Sequence, residues 1–444
     1  MENIKGNIKQ EKIESKLVLE VTKSVLYSLM GIIIFFVPIK INGYTKTLIH
    51  HMSNYLKEIN IGFLLVSFIV LTAFTIVSDI YISKKDSTNI NKVNVLKKSV
   101  SIVIIIFIFY NKDILFMLSY NNVFIIEEII LNSITILPIS SIFIPLICDY
   151  GFLELVESYC QKFMKKMFRI SGKNVVIIMI YLLTDIYTGM FVAKYLYDKG
   201  RLRENEFFII LVNFSIMSVF ISNYMISEMN VGYIKTILMG IFIYIISNCI
   251  LVRIYPINKK KKRYSIKTSY KECNFRGKNK KTKAIESNIK NRGKNSCIKR
   301  MILSFDKCLN LITILVPNMV IMLVISILII ENTNVENIYK VAFSNLGETL
   351  KIKDMSQILE YLSYNVVSIV FSIDKCLENV NIHKEFITIF SVFMPIGLST
   401  TYVFIKSIKI NIKTSEIIIV YIQKIILFLA LYSLIIHLQI GYLL

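Results

Sequence analysis

Residues 174–197 read NVVIIMIYLLTDIYTGMFVAKYLY, a run long enough to span a bilayer, which takes about 20 apolar residues. Its middle, Thr184-Asp185-Ile186-Tyr187-Thr188-Gly189, breaks the apolar pattern with a carboxylate, two threonine hydroxyls and a glycine. Whether this segment crosses determines the side of the membrane on which everything after it lies.

Other apolar runs, at about 24–38, 61–82, 99–118, 123–147, 206–227, 234–255, 306–330, 386–405 and 415–440, with a weaker one at 361–374, predict further helices. With 55% hydrophobic residues in 444 and a mean hydropathy of +0.60, the chain reads as an all-α, polytopic integral membrane protein. Residues 1–23 form a charged arm, unlike the apolar core and small-residue cleavage site of a secretory signal. The N-terminus is therefore expected to be retained and cytoplasmic.

Cytoplasmic loops are enriched in Lys and Arg. The count is five in 1–23, three in 39–60, five in 83–98, none in 119–122 and five in 148–173, which puts 148–173 inside. If 174–197 crossed fully, the tract 256–303 with its 17 basic residues would lie outside, together with Lys199, Arg201 and Arg203. If it enters and returns, all of these fall inside, and the turn at 228–233 with Glu228 falls outside. Residues 331–360, with five acidic and three basic residues, are then outside, and Lys406, Lys409 and Lys413 are inside if 361–374 is also non-crossing. A different repair of the same parity is that 123–147, carrying Glu127 and Glu128, fails to cross.

The expected architecture is about nine full spans plus two re-entrant segments. Each re-entrant segment precedes two spans, one set opening inward and the other outward, which is the pattern of an inverted-topology repeat. Glu206-Phe207-Phe208-Ile209 and Glu385-Phe386-Ile387-Thr388 stand at corresponding helix starts. The chain divides into an arm (1–23), an N-terminal transmembrane bundle (24–147), a first half (148–255), a basic cytoplasmic linker (256–303) and a C-terminal half (304–444). Residues 258–300 carry 17 basic against two acidic side chains and read as a disordered, topology-setting tract. Such a tract also attracts anionic lipid, at about 1 kcal/mol per basic residue near the surface. Specific nucleic-acid binding is not expected.

A carboxylate at membrane depth is costly and marks an ion, proton or substrate site, so Thr184, Asp185, Thr188 and Gly189 are candidate substrate-binding residues. Asp185 could equally cap a hairpin turn. Asn213, Ser215 and Ser218 form a polar stripe at helical spacing in the next span, able to contact substrate or to hydrogen-bond between helices. Ser391, Ser399, Thr400 and Thr401, beside Pro395 and Gly397, would supply an opposite wall.

The seven cysteines are scattered without a C-x-x-C, and the four histidines have no metal-ligand spacing. Neither a Walker motif nor a G-x-S-x-G elbow is present. No cofactor, metal or catalytic residue is expected, and the chain is not expected to be an enzyme.

Over roughly residues 25–255 the sequence resembles the YjiH-type membrane proteins that carry a nucleoside-recognition, or Gate, domain. The resemblance rests on Gly31 with Phe35-Phe36-Val37-Pro38, Pro145-Leu146 with Asp149-Tyr150-Gly151, Gly172, Gly189, Tyr197 with Gly200, Glu206, and Asn213-Phe214-Ser215 with Ser218. It departs at Tyr181-Leu182-Leu183 and Tyr187, where the family usually has Gly, Ser and Ala. The resemblance implies a bacterial cell-membrane protein and a pore-like module shared with concentrative nucleoside transporters, a ferrous-iron transport GTPase and spore-maturation membrane proteins. Two functions follow as expectations. One is a permease for nucleosides or similar small polar solutes. The other is a non-transporting membrane scaffold that works as a homo-oligomer or with a membrane partner.

Overall fold

The structure, a computed structural model, describes residues 20–85, 92–110, 120–266, 296–333, 355–365, 384–394 and most of 398–437, with single positions between 337 and 350. Among these residues six helices are long and apolar enough to cross a membrane: Ile61–Tyr81, Lys92–Tyr110, Ile130–Cys148, Tyr233–Leu251, Cys297–Ser326 and Thr414–His437. Helices that are apolar on every face suit a lipid surround rather than water. The chain is accordingly an all-α membrane protein.

Helix α1 (20–36) leads into a two-stranded hairpin, β1 (Pro38–Ile41) and β2 (Tyr44–Thr47). Asn42 and Gly43 turn it, both at positive φ, the conformation that a two-residue Asn-Gly hairpin turn requires. Helix α2 (Leu48–Ile59) then lies on α5 (Tyr120–Cys148) through Ser53 to Thr135, 2.6 Å, and Lys57 to Asn132, 2.8 Å. Between them in sequence, α3 (Ile61–Lys85) and α4 (Lys92–Tyr110) are mostly exposed, whereas α5 is largely buried. Helix α5 is continuous through Pro138 and Pro145, and its stretch Ile130–Cys148 is one of the six long apolar helices.

Helix α6 (Phe152–Phe168) follows, and then the segment 174–198. It forms two helices, α7 (Asn174–Leu183) and α8 (Ile186–Asp198), which fold back on each other. A Cβ added at Gly189 would stand 2.4 Å from the Tyr181 ring, although residues eight apart on a continuous helix are separated by about 12 Å along its axis. Ser171 N–H, just before α7, donates to the Glu206 carboxylate, just after α8, at 2.8 Å. The segment thus leaves and returns at the same end of the molecule.

The run 206–227, expected as one continuous helix, is broken. Helix α9 (Glu204–Val212) ends, residues 213–218 are non-helical, and α10 (Val219–Glu228) resumes. Asn213, Ser215 and Ser218 therefore do not form a helical stripe. After α11 (Tyr233–Leu251) and α12 (Cys297–Asn332) come α13 (Met355–Asn365), α14 (Lys384–Phe393), α15 (Leu398–Ser407) and α16 (Thr414–His437). The run 386–405 is likewise split between α14 and α15, with Pro395 and Gly397 outside the described residues. Met217 N–H donates to Val392 C=O at 3.1 Å, so the break after α9 meets the last turn of α14.

The tract expected as a disordered linker is ordered at both described ends. Glu204 N–H donates to Arg263 C=O at 2.8 Å, and Asn205 N–H to Lys261 C=O at 3.2 Å. Helix α12 begins at Cys297, inside the tract, and runs 36 residues, about 54 Å. It packs on α4 and α5, so the C-terminal half shares a core with the N-terminal bundle. Residues 267–295 lie outside the described residues.

Ion pairs mark two ends of the molecule. At one end Lys260 meets Glu416 at 2.5 Å and Arg263 meets Glu204 at 2.7 Å. At the other, Lys235 meets Glu385 at 3.1 Å, and the His437 ring meets Leu350 C=O at the same distance.

Candidate functional site

At the hairpin tip the candidate residues are occupied by local structure. Thr184 Oγ1 donates to Ile180 C=O at 2.6 Å, finishing α7. Asp185 caps α8: its Oδ2 accepts from Tyr187 N–H at 2.9 Å, as expected of an N-cap aspartate. Thr188 is fully buried, with its hydroxyl 3.3 Å from Ser140 on α5. Gly189 is where the Tyr181 ring lies. These four residues build and anchor the hairpin.

At the base of the hairpin a buried ionic cluster fastens it. Asp149, 1% exposed, accepts from Lys199 Nζ at 2.6 Å and from Tyr195 O–H at 2.7 Å, with Arg201 at 3.6 Å and Arg300 at 3.9 Å. Burial pushes the Asp149 carboxyl up, but Lys199 and Arg201 outweigh it and hold the group below the usual carboxylate value. Arg201 also reaches Glu154 at 3.7 Å and donates to Cys148 C=O at 2.6 Å. Several residues behind the family resemblance, Asp149, Tyr150 and Glu206 among them, belong to this corner and have structural roles here.

The discontinuity 213–218 is different in kind. Asn213, Ser215 and Ser218 are at most 2% exposed, and neither the Asn213 amide nor either serine hydroxyl has a hydrogen-bond partner among the described residues. An unsatisfied buried polar atom costs about 1–3 kcal/mol, and four such atoms stand here. Aromatic rings enclose the place, with Phe214 edge-on to Phe168 and Tyr244, and Tyr244 against Phe393. Tyr244 O–H donates to Phe214 C=O at 3.0 Å.

Sequence reasoning overlooked Lys424. Halfway along α16 and 4% exposed, it donates from Nζ to Val212 C=O and Asn213 C=O, each at 2.9 Å. It satisfies carbonyls that the early end of α9 would otherwise leave open. The signal was available, since a lysine centred in an apolar run of spanning length is rare unless it has a role. On the opposite wall Ser391 is buried and hydrogen-bonds Tyr361, and Thr401 is buried, whereas the side chains of Ser399 and Thr400 lie outside the described residues.

Among the described residues no group of three or more His, Cys, Asp or Glu side chains is arranged to hold a metal ion. No protein-family model, curated protein or solved structure matches the chain. The resemblance to Gate-domain proteins has no support from those comparisons.

Proposed function

We propose that the chain is a permease that holds a small polar solute at the discontinuity 213–218 and exposes it to the two sides of the membrane in turn. Half-helices that end at membrane depth bring backbone and side-chain polar groups to one enclosed place, the arrangement secondary transporters use for substrate and ion sites. The observation that carries this reading is the set of partnerless polar atoms on Asn213, Ser215 and Ser218 where the two broken helices meet. A membrane scaffold would have no use for such atoms, each of which weakens the fold.

In the proposed topology residues 1–23 are cytoplasmic, nine segments cross a bacterial cell membrane, and 174–198 and a segment beginning near 355 are re-entrant from opposite sides. Residues 304–444 then form an inverted repeat of 174–255. The basic tract lies on the cytoplasmic face, where it would meet anionic lipid.

Proteoliposomes holding the full chain, tested with a panel of nucleosides and other small polar solutes, check the reading directly. Uptake is expected for at least one class and is expected to fall at least ten-fold in Asn213→Leu. Folded protein that moves nothing in the panel counts against a permease.

A further inference from the structure

In its protonated form the Lys424 side chain brings a positive charge and three N–H donors to the middle of α16. Two donors are used on Val212 C=O and Asn213 C=O. The C-terminal end of α9 supplies only about half a negative charge through the helix dipole. No charged side chain among the described residues lies close enough to act on the amine. A buried cation balanced only in part is expensive, and removal from water makes its remaining field strong.

The residues that follow its carbonyl partners in the chain lean the same way. The Asn213 side chain belongs to the residue whose carbonyl Lys424 holds, and its amide nitrogen has no acceptor. Ser215 and Ser218 hydroxyls, a few residues on, also have no partner. Ser218 stands at the N-cap of the ten-residue α10 but does not cap it, so the positive end of that helix lacks its usual side-chain acceptor. An ammonium, an amide donor, two hydroxyls and a helix N-terminus together suit a negatively charged ligand.

We propose that the discontinuity 213–218 takes a small anionic solute, a carboxylate in the first instance, whose charge completes the neutralisation of Lys424. This rests on the discontinuity being the solute site, and it turns the expected cargo away from uncharged nucleosides. Lys424 supplies the charge, and the Asn213 amide and the two serines supply directed hydrogen bonds.

The test is thermal unfolding of the purified full chain at constant ionic strength in chloride. Acetate, succinate and inorganic phosphate are titrated beside the uncharged succinamide and uridine. At least one anion is expected to raise the midpoint with half-saturation ten-fold or more below both neutral probes. Stronger action by acetate or succinate than by phosphate identifies the carboxylate. Lys424→Gln, which keeps a donor for the carbonyls without the charge, is expected to reduce the discrimination to within two-fold. Should that variant not fold, Asn213→Asp places a carboxylate beside the amine and is expected to abolish the anion effect while raising the midpoint itself. Equal or tighter action by a neutral probe, no shift with any anion, or discrimination that survives in Asn213→Asp overturns the proposal. Anion binding without uptake into liposomes would sink the permease reading and leave this inference standing. Uptake of neutral solutes alone would do the reverse.

Discussion

Gly189 illustrates how a candidate ligand residue can prove to be a packing residue. Its missing side chain is what lets the Tyr181 ring lie on α8. Gly189→Ala is expected to cost about 1–3 kcal/mol through overpacking, read as a lowered unfolding midpoint, and Tyr181→Leu in the same chain is expected to restore part of it. Asp149 acts through charge. Asp149→Asn breaks the short pair with Lys199 and leaves Arg201, itself nearly inaccessible, with Glu154 as its remaining carboxylate, and breaking a buried pair costs about 3–5 kcal/mol. Because the folded-state carboxyl titrates below its usual value, its contribution is complete above the unfolded pKa of about 4 and is lost as pH falls through the lower folded value. The wild-type midpoint should thus drop on strong acidification, and the drop should be smaller in Asp149→Asn. Asp185 and Thr184 were readable as a break in an apolar run. Capping was one of the two roles open to Asp185, and it is the one found; the sequence alone could not choose, because capping and ligand binding call for the same residue types.

At the scale of elements, loop charge and helix punctuation differ in what they reveal. The return of 174–198 was legible because 17 basic residues downstream had to stay on one side. The split of 386–405 had local signs in Pro395 and Gly397. The split of 206–227 had neither glycine nor proline, and Phe207 to Met217 is a continuous apolar run but for Asn213 and Ser215. What ends α9 is tertiary, an amine arriving from α16 more than 200 residues later. The hairpin at 38–47 was missed for a plainer reason: its Asn42-Gly43 turn signal sat in a stretch read only for its charge.

That hairpin carries α2, whose His50 ring lies edge-on to Phe220 at 5.5 Å and against the backbone of Thr184 at the tip of the re-entrant pair. Burial first, then Lys46, His51 and Lys57, hold His50 down at about 4. The ring stays neutral in the folded protein while the unfolded chain gains a proton below about pH 6.5. Stability from this site is therefore whole above that pH and declines toward pH 4. A midpoint that falls between pH 7 and pH 5 in wild type, and falls less in His50→Gln, is the expected pattern.

Across the whole molecule the prediction concerns sidedness. In a chain stripped of its native cysteines, Lys162→Cys and Lys259→Cys are expected to react with an impermeant maleimide from the same face of the membrane, and Asn230→Cys from the other. All three positions are exposed in the structure. Opposite sidedness for residues 162 and 259 would mean that 174–198 crosses, and the inverted-repeat scheme would fail with it. The tie between Ser171 and Glu206 says the ends coincide, and the labelling asks the same of the protein in a bilayer.

The union of Met217 with Val392 has a mechanical meaning. The break after α9 meets the last turn of α14 through this backbone hydrogen bond, an interaction worth about 0.5–1.5 kcal/mol net. The Glu206 carboxylate clips the base of the hairpin to the start of α9, so α7, α8 and α9 travel as one lever. The break after α9 is thus pinned from two later helices, by Val392 on α14 and by Lys424 on α16, while the side chains of Asn213, Ser215 and Ser218 stay unpaired among the described residues.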